Sequence, residues 1–100
     1  MNAYVLSDAA RRDLVALWEY LVEKAGVAVA NRMVTDLRQA MRRLAAQPGI
    51  GHRRTDLTDL PARFWRVYSY LIVYDPASSP LRVARVLHGS RDIESILMEE

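Results

Sequence analysis

Two amphipathic stretches meet at a single glycine, and that junction limits the folds open to this chain. Leu14, Leu17, Trp18, Leu21 and Val22 recur at three- and four-residue spacing, the period of one helix face. Ser7 precedes them as a helix N-cap, with Asp8 beside the positive end of the helix dipole. No glutamate stands three residues on, so the reciprocal capping box is missing. Lys24 and Gly26 are stop signals. The second stretch, from about Val27 to Ala46, carries Val29, Met33, Leu37, Ala40, Met41 and Leu44 on its apolar face. Arg32, Asp36, Arg38, Arg42 and Arg43 decorate the rest, and Pro48 with Gly49 ends it. Two helices joined at one glycine fold back as an antiparallel hairpin. Neither stripe is buried unless a sheet or another helix lies beneath it.

The later half supplies that sheet. Arg63 to Tyr68 and Tyr70 to Tyr74 are rich in aromatic and β-branched residues, with a tight turn expected near Ser69. Asp75 to Pro80 is a second turn, and Leu81 to His88 the last strand. Leu71, Ile72 and Val73 are apolar on both faces, as in a central strand. Ala3 to Leu6 reads as a short first strand that must join the same sheet to satisfy its backbone. After Gly89, the spacing of Ile93, Ile96 and Leu97 predicts a short helical tail. The expected fold is α+β, in the order β-α-α-β-β-β. A helix hairpin packs on a mostly antiparallel four-stranded sheet, with a short C-terminal helix, in one domain of 100 residues.

The absence of cysteine excludes disulfides, thiolate nucleophiles and cysteine-based metal sites. His52 and His88 lack metal-ligand spacing, and neither a metal nor a cofactor is expected. No apolar run approaches membrane-spanning length and no signal-peptide pattern opens the chain, so the cytoplasm is the expected compartment. Charge is unevenly spread. Residues 32–91 hold eleven arginines against four aspartates, net +7, whereas residues 92–100 carry four acids and no base. Such an arginine surface suits an acidic protein or a nucleic acid, although a bias in base composition would enrich arginine too.

A set of ordered motifs runs along nearly the whole chain. It begins with Leu6-Ser7, Ala9 or Ala10, Asp13-Leu14 and the Trp18/Tyr20 region. Leu44, Pro48, Gly51, Arg54, Asp56-Leu57, Arg63, Val67, Tyr70, Ile72 and Tyr74 continue it. Arg85-Val86-Leu87-His88-Gly89 and Arg91-Asp92-Ile93 close it. In these the chain resembles the ParE branch of the ParE/RelE toxin superfamily, the stable halves of bacterial toxin–antitoxin pairs. The resemblance implies the same element order, inhibition of DNA gyrase by binding, and neutralisation by a ParD-like antitoxin whose flexible C-terminal segment wraps the toxin. The superfamily's ribosome-dependent messenger-RNA nucleases supply the alternative.

A nuclease needs a base near the ribose 2′-hydroxyl, cations on the phosphate and an acid for the leaving oxygen. His88, Arg82 and Arg66 are the foremost candidates, with Arg85, Arg91, Arg53 and Arg54 behind them. In a regular last strand, Arg82 and His88 share a face with Ala84 and Val86, and Arg85 points the other way. Only a bulge near Gly89 would unite Arg85 with His88. The nuclease branch tends to carry loop lysines and a late tyrosine or histidine. Here no lysine follows Lys24 and no tyrosine follows Tyr74.

Arg85 and Asp92 are therefore expected to form a structural clamp, with Asp92 or a hairpin acid such as Asp13 pairing Arg85. Most aromatics are expected in the core. The sheet's second face is expected to expose an apolar patch around Ile72 or Val73, and an acidic antitoxin segment would cover it. The expected partner-binding residues are Arg53, Arg54, Arg66, Tyr70, Ile72, Tyr74 and Arg91. An inactive member retained as a corepressor module is a third reading.

Overall fold

Ser7 starts the helical layer and ties it to the sheet at the same point. Its Oγ accepts from Ala10 N at 3.0 Å, capping the first helix, and donates to the Ala84 carbonyl at 2.6 Å. The computed structural model describes residues 3–98. The elements are β1 (Tyr4–Leu6), α1 (Asp8–Ala25), α2 (Val27–Ala46), a 3-10 turn (Pro48–Ile50), β2 (Arg63–Val67), β3 (Tyr70–Asp75), β4 (Leu81–His88) and α3 (Ile93–Met98). The hairpin turns at Gly26, whose φ of 95° is reached easily only without a Cβ. Its N–H closes α1 by donating to the Leu21 and Val22 carbonyls, both at 3.1 Å.

The sheet order is β1-β4-β3-β2, with β1 parallel to β4 and the remaining pairs antiparallel. Leu14 and Leu17 of α1 and Leu37, Met41 and Leu44 of α2 pack on Ile72, Tyr74, Leu81, Val83 and Val86. Burying each such aliphatic side chain contributes about 1.5–3 kcal/mol. Val29, expected on the apolar stripe of α2, is exposed; burial along that stripe starts at Ala30. No helix among the described residues is long and apolar enough to cross a membrane.

The last strand departs from regular alternation. Val73 pairs with Arg85 and Tyr74 with Val83, so Ala84 is an extra residue on β4. The bulge puts Val83 and Val86 on the same, helix-covered face. It therefore separates Arg82 from His88: Arg82 pairs with Asp75 before the bulge, whereas His88 pairs with Tyr70 after it and borders the hairpin side. Their expected common face does not exist. The irregularity lies at Ala84, not near Gly89.

The second face of the sheet is not open. Ile93 and Leu97 of α3, with Leu57 and Ala62 of the long loop, cover Phe64, Leu71, Val73 and Leu87 in a separate core cluster. Ile72 belongs to the other face, packed under the hairpin, and Val73 lies beneath α3. The apolar patch expected for a partner is thus filled by the chain's own tail. Ile72 and Tyr74, both fully buried, have no surface to offer a partner.

Candidate functional site

The end of β4 is fastened to the β2–β3 turn, and this contact gathers three of the later arginines, Arg54, Arg66 and Arg91. Gly89 N donates to the Ser69 carbonyl at 2.8 Å, and Arg91 N donates to the His88 carbonyl at 3.1 Å, turning the chain back. The β2–β3 turn is unusual. Tyr68 has a φ of 56°, an uncommon place for a bulky residue. Two contacts hold it there: its hydroxyl donates to Asp36 Oδ2 of α2 at 2.8 Å, and its carbonyl accepts from Arg66 Nε at 2.8 Å. A cleft of about 440 Å³ results, bordered by Arg54, Arg66, Arg91, His88, Ser69 and Ser90.

Arg54 is oriented by a two-pronged pair with Asp56, Nε to Oδ1 at 2.9 Å and Nη2 to Oδ2 at 2.8 Å. That hydrogen bonding holds the Asp56 carboxyl below its ordinary range and raises the Arg54 guanidinium. The His88 ring is fixed by Ser90, whose backbone N–H donates to Nδ1 at 3.1 Å and whose hydroxyl lies 2.6 Å from the same nitrogen. A backbone N–H can only donate, so Nδ1 is an acceptor and a neutral ring carries its proton on Nε2. The ring stands edge-on to Tyr70, with centroids 5.3 Å apart. The arrangement presents hydrogen-bond donors and cations, suited to carboxylates or phosphates.

Of the sequence-selected residues, Arg54, Arg66, Arg91 and His88 thus share one cleft. Tyr70, half-buried, lines an adjoining aromatic cleft of about 490 Å³ with Tyr20, Tyr68, Met33 and His88. Arg53 is exposed but does not border either cleft. Arg82 lies beyond the bulge, and Arg85 faces Asp13 of α1 with Nε to Oδ2 at 2.8 Å. Asp92 accepts from Ser95 N at 3.3 Å and the Ser95 hydroxyl at 2.8 Å, at the start of α3. Among the described residues, Arg85 thus pairs with Asp13 and Asp92 with Ser95. Ser69 and Ser90 have no sequence signal beyond lying in turns; their roles follow from hydrogen bonds made across those turns.

The tyrosines around this region have a shared pH signature. Hydrogen bonding to Asp36 raises the Tyr68 hydroxyl above its ordinary value, while burial raises Tyr70 and Tyr74. Their protonated forms favour the folded chain. This contribution is complete below the ordinary tyrosine range and is lost as pH rises through the folded values. Ultraviolet titration should show delayed tyrosinate formation that shifts to ordinary values on unfolding. Coincident folded and unfolded titration curves would contradict this.

Against known proteins, the profile described as "ParE toxin of type II toxin-antitoxin system, parDE" matches residues 4–93. This chain belongs to the ParE toxin family. Toxin ParE1 of Mycobacterium tuberculosis, in strains CDC 1551 / Oshkosh and H37Rv, is 32% identical over 94 residues, covering 93% of this chain and 95% of the relative. The solved structure titled "Chromosomal ParDE TA system from P. aeruginosa" superposes with a TM-score of 0.71 and 17% identity, covering 85% of this chain and 92% of that one. That likeness shows the shared fold. The ParE-family chain is thus a toxin component of a type II toxin–antitoxin system.

Proposed function

We propose that this ParE-family toxin acts in the cytoplasm by binding, holding a DNA gyrase–DNA intermediate, and that a ParD-like antitoxin neutralises it. The cleft of Arg54, Arg66, Arg91 and His88 carries the reading. It collects positive charge, yet the unprotonated Nδ1 of its histidine is already engaged by Ser90, which leaves the neutral ring's Nε2–H, a donor, as its other polar group. Arg82, needed by the nuclease arrangement, lies elsewhere. A toxin of this kind performs no chemistry of its own; its cations meet an acidic protein surface or the phosphates of gyrase-bound DNA.

Purified toxin is expected to inhibit gyrase supercoiling and trap cleaved DNA. Arg66→Ala/Arg91→Ala should weaken that inhibition about tenfold or more at physiological salt while the fold persists. Unaffected supercoiling without trapped DNA rejects the gyrase reading. Messenger-RNA cleavage during translation, abolished by His88→Ala in a folded chain, would instead establish the nuclease alternative.

A further inference from the structure

Among the described residues, β1 is one edge of the sheet and pairs with β4 alone. Its inner side is defined by the Ala3 carbonyl accepting from Leu81 N at 3.3 Å and Ser7 N donating to the Val83 carbonyl at 3.0 Å. Val5 stands opposite Arg82 between them. Alternation along a parallel strand then turns the N–H and C=O groups of Tyr4 and Leu6 outward. No strand among the described residues lies against that edge.

Arg11 of α1 and Arg38 and Arg42 of α2 border the same edge, around an open groove of about 440 Å³. All three are exposed, and no carboxylate among the described residues forms an ion pair with them. Arg38 is positioned by donating to the Tyr4 hydroxyl at 2.9 Å. Such charges discourage pairing with a second copy of the same edge, because its arginines would meet their like. An edge that repels itself still offers backbone hydrogen bonds to a strand of opposite charge.

We infer that β1 is a strand-addition site for an extended peptide in which carboxylates alternate with β-branched apolar residues. Tyr4 and Leu6 pack against the helix-side core, so side chains of an added strand on that face lie beside Arg11, Arg38 and Arg42. Those on the opposite face lie beside Val5, which is 38% exposed. Backbone pairing at Tyr4 and Leu6 supplies affinity, and the guanidiniums select the acidic sequence. That the antitoxin supplies this segment rests on the proposed function; the chemistry of the edge does not.

Amide exchange of the full chain, measured by NMR with an end-capped synthetic peptide alternating glutamate and valine, tests the inference. Bound peptide should slow exchange at Tyr4 and Leu6 about tenfold or more, with little change at Val5, already bonded to β4. Arg38→Glu/Arg42→Glu and replacement of the peptide's glutamates by glutamine should each weaken binding about tenfold. A peptide N-methylated at alternate amides keeps its charges but loses the donors, and should fail to bind. Equal binding by that peptide, or unchanged Tyr4 and Leu6 exchange at saturation, overturns the proposal. So does duplex DNA binding through these arginines without that protection. In complex with a ParD-like antitoxin encoded beside the toxin, Tyr4 and Leu6 should be protected. A complex lacking this protection rejects the edge assignment and leaves the antitoxin reading standing. Peptide protection without any complex does the reverse.

Discussion

Asp13→Ala should destabilise the protein by about 3–5 kcal/mol, because it removes one partner of a largely buried ion pair. Asp13 and Arg85 side chains are only 11% and 15% exposed. The carboxylate receives Arg85 Nε at 2.8 Å and Nη2 at 2.9 Å, and its Oδ2 also accepts Val86 N at 2.9 Å. The third contact explains the position of the pair. Parallel pairing with β1 ends at Leu6–Val83, so Asp13 serves the Val86 N–H where that strand no longer runs alongside. Alanine loses the charge pairing and leaves that N–H without the carboxylate acceptor. Thermal unfolding should shift down by about 15 °C or more for a domain of this size. Asp13→Asn should cost less, since its amide oxygen can still accept from Val86 N. An Asp13→Ala change within about 1 kcal/mol of the parent would place the pair among weak surface bridges and contradict this account.

The second large effect is expected at Gly51. A Cβ there would overlap the Tyr74 hydroxyl and come within 2.8 Å of two of its ring carbons. Tyr74 cannot readily withdraw. It is fully buried, accepts from Gly51 N at 2.9 Å and donates to the Pro48 carbonyl at 2.6 Å. Gly51→Ala should therefore cost about 3 kcal/mol, combining overpacking with disturbance of the tyrosine's hydrogen bonds. Tyr74→Phe should cost about 1–2 kcal/mol by removing those bonds without steric conflict. Chemical denaturation of both variants checks the pair. A neutral Gly51→Ala, or a larger loss in Tyr74→Phe, would reverse the assignment of the close packing as the main constraint.

These two contacts show different limits to sequence interpretation. Asp13 is recognisable as a candidate partner for Arg85, but Asp92 is an equally available acid in the linear chain. The fold brings Asp13 to Arg85 and commits Asp92 to Ser95 at the start of α3. Gly51 falls in a loop rich in glycine, arginine and aspartate, where nothing local announces that its missing side chain makes room for Tyr74. Arg54, Arg66, Arg91 and His88 are recognisable as possible functional residues, yet their convergence depends on the turns joining β2 to β3 and β4 to α3.

Local chemistry determined the two helices, their glycine-centred reversal, the late strands and the amphipathic tail. Repeating apolar spacing, capping residues and turn residues act over short distances, and the family motifs follow that same order. Tertiary structure decided which side each late residue occupies. The extra residue at Ala84 changes side-chain alternation along β4 and puts Arg82 and His88 in different surroundings. The tail then covers the face around Val73, while Ile72 packs beneath the helix hairpin. Strand register and docking join residues far apart in sequence, so local periodicity could specify the elements without specifying the surfaces they finally expose.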